Sequence, residues 1–235
     1  SQNSKRKGLP YCPANRSQIS GTAWHTCGKV KKGNLMRHIF HIISYLFHPL
    51  FIPIGGTIVY FMIAPYSTLE TQSGNILPIF ILTIIIPIIF FLILKNLGVI
   101  SSIFLPTIQE RKYPLYISCI IFLMILYKVI PNNYVNELFY YFTGLLTATS
   151  ATLILLFFKF KTSMHLLGMG SILTFMIALS IHFEINITIA ISLFTLFTGM
   201  VATSRLYLKA HTKNELLIGF LLGCCSQLII LKYWL

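Results

Sequence analysis

Residues 76–94 read ILPIFILTIIIPIIFFLIL, a stretch from Ile76 to Leu94 with no charged side chain and with Thr83 as its one hydroxyl. A surface helix of a soluble domain keeps a polar face toward water, and this run has none. A bilayer core takes about 20 apolar residues per helix, and the run has that length. The same ruler finds further spans at Ile39 to Ala64, Leu115 to Ile130, Leu138 to Phe158, Leu166 to Phe183, Ile185 to Thr203 and Leu216 to Leu231. The fold class expected is therefore all-α, a polytopic membrane helical bundle of six to seven transmembrane helices. The lower count arises because Pro49, Pro53, Gly55 and Gly56 interrupt the first run, which predicts a kink or a half-span there. The fifth and sixth runs are separated by little more than Glu184, which predicts a tight hairpin.

Composition agrees with the ruler. Of 235 residues, 56% are hydrophobic and only 10% charged, where a soluble domain carries about 25% charged residues. Disorder, a coiled coil and a cytosolic globule are excluded as descriptions of the whole chain. Lys and Arg number 18 against 5 acidic residues, none of them Asp. Because these bases lie between apolar runs, they read as lipid-headgroup contacts, topology signals or phosphate ligands, and not as a nucleic-acid surface. The five cysteines show no CxxC spacing, so neither a disulfide framework nor a metal site is expected. Membrane lipids are the expected partners, no cofactor is expected, and the oligomeric state is left open.

Residues 1–37 differ from the rest: Ser, Asn, Lys, Arg, Gly and Pro dominate, without a helical period or an acidic residue. They are expected to form a basic disordered tail that can lie on anionic lipid, ahead of a membrane domain at 38–235. Met36-Arg37 followed by an apolar run has the form of a membrane-protein start, so a tail foreign to the natural chain is an equal expectation. Cys12, His25 and Cys27 in the tail match no zinc spacing. If the spans alternate sides, all of the 18 Lys and Arg except Lys128 and Lys232 fall toward one side, which the positive-inside rule makes cytoplasmic. The expected location is the cell membrane.

Ionisable residues at helix ends in a membrane protein are costly and point to function. The densest group is Ser204-Arg205-Leu-Tyr-Leu-Lys209-Ala-His211-Thr-Lys-Asn-Glu215. His211 and Glu215 stand four apart, so on a helix they share a face, and the carboxylate can take the proton of one ring nitrogen and leave the other nitrogen directed elsewhere. Arg205 offers forked donors suited to a tetrahedral oxyanion. The same spacing also fits a basic loop at a membrane interface. A second group, Lys159-Phe-Lys161-Thr-Ser163-Met-His165, opens a helix. Ser163 suits the N-cap, the helix start is an anion site, and His165 in the first turn could protonate a leaving oxygen. A third, Gln109-Glu110-Arg111-Lys112-Tyr113-Pro114, adds positive charge before the third span. Span parity places all three groups on one side, where one phosphate-sized pocket could collect them.

Ser204-Arg205-x5-His211-x3-Glu215 resembles the third signature of the type 2 phosphatidic acid phosphatase superfamily, Ser-Arg-x5-His-x3-Asp, with Glu in place of Asp. Ser163-Met164-His165 resembles its second, Pro-Ser-Gly-His, with Thr162 for Pro and Met164 for Gly. The first, Lys-x6-Arg-Pro, is echoed only by Arg111 near Pro114. The resemblance covers residues from about 109 to 215 in the family's order. It implies an integral-membrane lipid phosphate or polyprenyl diphosphate phosphatase in which His211 forms a phosphohistidine and Glu215 orients it. His165 would then protonate the leaving group. Arg205, Ser204, Ser163, Lys161, Arg111 and Lys112 are the implied phosphate contacts, and the implied partner is a phosphorylated lipid substrate. The departures from the signatures keep two alternatives in view, a catalytically impaired binding or scaffold protein on the same frame and a small anion transporter.

Overall fold

The computed structural model describes residues 35–65, 67–100, 108–131 and 135–235. Among the described residues seven helices are long and apolar enough to cross a membrane: α1 Leu35–Ile63, α2 Leu69–Asn96, α3 Glu110–Val129, α4 Asn136–Phe157, α5 Met164–His182, α6 Thr188–Tyr207 and α7 Lys213–Leu231. No strand occurs among them. The protein is an all-α, multi-pass membrane bundle, and each expected span coincides with one helix. Residues 1–34, with Cys12, His25 and Cys27, lie outside the described residues, whereas Leu35, Met36 and Arg37, placed in the tail by composition, begin α1.

The expected kink in α1 is local. Pro49 lacks an N–H and bars the residue before it from helical dihedrals. His48 is accordingly extended, at φ −65° and ψ 140°, and caps a 3-10 turn over Pro49–Phe51 by accepting the Leu50 N–H on Nδ1 at 3.2 Å. The helix resumes at Ile52 with Pro53 in its first turn, where a missing N–H has no consequence. Both halves belong to one crossing. The Ser204 hydroxyl at the end of α6 donates to Phe40 O near one end of α1, while Tyr60 near the other end donates to Glu137 at the start of α4. In α2, Pro87 cannot donate to Thr83 O, and the preceding residues Ile81–Ile85 widen into a π turn, with Ile86 N–H reaching Ile81 O.

Helix α5 is the axis of the bundle: 78% of its apolar window is buried within the protein, against 11% for α2, which leaves α2 to face lipid. Contact of α5 with α7 depends on two glycines. A Cβ at Gly219 would stand 2.6 Å from Ser163 O, and one at Gly223 would overlap Leu167 O, so the backbones meet only because both side chains are absent. The aromatic run Phe139–Phe142 is divided between surface and core. Tyr141 and Phe142 are fully buried, Tyr141 stacking on Phe175 with centroids 4.5 Å apart and donating to Ile52 O at 2.9 Å, whereas Phe139 remains exposed. The hairpin between α5 and α6 is as tight as its sequence suggests. Glu184 takes a left-handed φ of 55° and the two closing bonds, Glu184 N to Ile181 O and Ile185 N to Ser180 O, complete the turn.

Candidate functional site

A cavity of about 1320 Å³ lies between α1, α2, α3, α4 and α5 and reaches the end of α6. Its deep wall is apolar, with Ile88, Phe91, Ile121, Phe122 and Leu145, and its head is basic. The head forms where three connections from one side of the bundle come together. Ser163 N–H, ahead of α5, donates to Glu215 O in the first turn of α7 at 3.2 Å, and the Gly219 gap lets Ser163 sit against α7.

His211 is set by the way α6 ends and α7 begins. Helix α6 closes with Lys209 N–H on Leu206 O and Ala210 N–H on Arg205 O, the pair of bonds typical of a left-handed stop, with Lys209 at φ 52° where glycine is usual. Helix α7 then starts with a capping box: Glu215 N–H donates to Thr212 Oγ1, and Thr212 N–H donates to Glu215 Oε2. The same Oε2 lies 2.7 Å from His211 Nδ1. An ionised carboxylate only accepts, so Nδ1 carries the proton and the Nε2 lone pair is free. The His211 side chain is 4% exposed. Burial pushes its proton affinity below the ordinary imidazole value; the Glu215 hydrogen bond works in the opposite direction, and the positive charges of Arg205 and Arg111 add to the lowering. A neutral imidazole with one directed lone pair is a nucleophile.

His165 and Arg205 meet at Ser44 of α1. Arg205 Nη1 donates to Ser44 Oγ at 2.6 Å, and His165 Nε2 lies 3.2 Å from Ser44 O, to which it donates, leaving Nδ1 for the cavity's chemistry. His165 also lies within electrostatic reach of Arg205, His48 and His211, so His165 and His211 share one electrostatic environment. Three buried polar groups near this point have no protein partner among the described residues: Arg205 Nε, Thr162 Oγ1 and Ser163 Oγ.

The nine expected site residues separate into two sets. His211, His165, Arg205, Arg111 and Lys161 line the cavity, and Glu215 stands behind His211. The other three do not line it. Ser204 is wholly buried and spends its hydroxyl on Phe40 O at 2.7 Å. Ser163 occupies the N-cap position without a side-chain cap bond, and its contribution is the backbone bond to α7. Lys112 lies over the Phe157 ring, 4.7 Å from the centroid. Arg37, His41, Ser44 and His48, which the sequence reading did not place at the site, all line the cavity. Their signal was present as steps of four, three and four along one helix face. Among the described residues no three His, Cys, Asp or Glu side chains gather in a way that could hold a metal ion. No protein-family model, curated protein or solved structure matches the chain.

Proposed function

We propose that the chain is an integral phosphatase of the cell membrane that hydrolyses a lipid phosphate or polyprenyl diphosphate through a phosphohistidine. The observation that carries this reading is the oriented His211–Glu215 pair, which shares a cavity with His165 and Arg205. His211 Nε2 attacks phosphorus while the bond to the leaving oxygen breaks and its electron pair stays on that oxygen. Protonated His165 gives its Nδ1 proton to the oxygen. Water then attacks the phosphorus, His165 Nδ1 takes the water's proton, and the P–N bond breaks to release phosphate and restore His211. Arg205 and Arg111 offset the charge on the phosphoryl oxygens, and the α5 N-terminus adds N–H dipoles. Phosphoryl transfer depends chiefly on positioning and positive charge, which the cavity head offers. The apolar deep wall suits the substrate's tail.

The test uses the full chain in lipid nanodiscs with phosphatidic acid and a polyprenyl diphosphate as substrates. Phosphate release is expected, with an acid-labile, base-stable phosphoenzyme trapped on rapid quench. His211→Ala should lose both, a drop on the order of 10³-fold or more for removal of a nucleophile. Turnover that persists in His211→Ala refutes the mechanism. Lipid binding without turnover in the wild type favours the scaffold alternative.

A further inference from the structure

One face of α1 presents Arg37, His41, Ser44 and His48 to the cavity, and the reaction above uses only Ser44, as a support for Arg205 and His165. The remaining three call for a ligand of their own, and charge indicates its chemistry. Arg37, Arg111, Lys161, Arg205 and Lys209 are permanent cations on the cavity wall, which no acidic side chain lines among the described residues. Glu215, behind His211, offsets one of them. A phosphate monoester brings a charge of about −1.5 to −2, so one phosphoryl group leaves the head with excess positive charge. A second phosphoryl group on the same molecule removes part of that excess.

His48 lies where such a group would fall. Its Nδ1 accepts the Leu50 N–H, so the neutral ring must carry its proton on Nε2 and is a fixed donor. Its ring stands edge-on to His165, with centroids 5.6 Å apart and planes at 81°. One diphosphate is long enough to touch both. Beyond His48 the wall turns apolar at Ile52 and Pro53, where a tail would begin. Arg37 and His41 continue the polar face from His48 toward the start of α1, away from the tail.

We infer that His48, on the polar face of α1, marks a second anion subsite, which binds the phosphoryl group next to the tail and makes the substrate a lipid diphosphate in preference to a monophosphate. This rests on the phosphatase reading, but its binding test does not require turnover. Inorganic pyrophosphate and orthophosphate are titrated calorimetrically into the full chain in nanodiscs. Pyrophosphate should bind at least tenfold tighter, and His48→Asn should lower that preference severalfold while orthophosphate affinity stays within twofold. Asn at 48 retains an acceptor for the Leu50 N–H, so its melting temperature should hold and the loss cannot be assigned to a broken turn. Equal affinity for the two anions, or a preference that survives His48→Asn, overturns the subsite. In a second arm, a diphosphate and a monophosphate with the same prenyl tail are compared as substrates. Turnover of both at equal kcat/KM removes this inference and leaves the phosphatase standing. If neither is turned over and no phosphoenzyme forms, the phosphatase reading falls while the titration still decides the subsite.

Discussion

At the scale of single residues, Glu215 shows how one side chain serves both fold and chemistry. As the third residue of α7 it completes the capping box with Thr212, a position that favours Glu, and the same oxygen holds His211 at 2.7 Å. The substitution of Glu for Asp in the resembled signature thereby acquires a local reason. It also yields a pH prediction. In the proposed reaction His211 must be neutral to attack; burial lowers its proton affinity, and the Glu215 hydrogen bond and charge raise it. Removing the charge in Glu215→Gln takes away a raising influence, so the acid limb of log kcat/KM against pH should move to lower pH while the plateau falls on the order of 10²-fold or more. An acid limb that moves to higher pH would contradict the pairing. Ser44 illustrates the opposite case. Nothing in its sequence neighbourhood announces it, because its two partners, Arg205 and His165, lie 161 and 121 residues away.

At the scale of elements, the spans were legible because apolar length is a one-dimensional property. Even the Gly219/Gly223 spacing was readable as a packing face, and both glycines lie in direct contact with the α5 backbone. What faced inward was less legible. Tyr141 looks like an interfacial residue next to Tyr140, yet it is wholly buried because its hydroxyl finds Ile52 O. The stop of α6 raises a further question, since Lys209 holds a left-handed φ of 52° in a turn that ordinarily takes glycine. That conformation costs an ordinary residue about 1–2 kcal/mol. Lys209 lines the cavity, so the strain is placed where its charge can act on an anion. Lys209→Gly should stabilise the protein by about 1 kcal/mol in detergent unfolding and weaken inhibition by orthophosphate severalfold. A variant that is less stable, or equally well inhibited, would show that the lysine has no such purpose.

At the scale of the whole molecule, two polar clusters mark the two ends of the bundle. One is the basic cavity; the other joins Tyr60, Glu137 and His182, with Glu137 Oε1 3.3 Å from His182 Nε2 and Trp234 packed edge-on against His182. Cysteine labelling with a membrane-impermeant reagent, in a background lacking the native cysteines, should therefore divide four exposed positions into pairs. Lys159→Cys and Lys213→Cys should react from one side, and Glu184→Cys and Tyr233→Cys from the other. The distribution of Lys and Arg predicts that the first pair is protected in intact cells. Labelling of Lys159→Cys and Glu184→Cys from the same side would break the seven-span topology.

The amino-acid sequence alone determined that the chain is helical, that it crosses the membrane repeatedly, and which basic segments share a side, because each of these follows from local hydropathy and span parity. Tertiary structure decided which of those bases meet. Ser204 and Lys112 turn to Phe40 O and the Phe157 ring, while Arg37, His41, Ser44 and His48 of a distant helix complete the cavity head. The reason is geometric. A helix face is assigned to a partner only when close backbone contacts, here those permitted by Gly219 and Gly223, set how neighbouring helices are rotated and how deep each side chain sits.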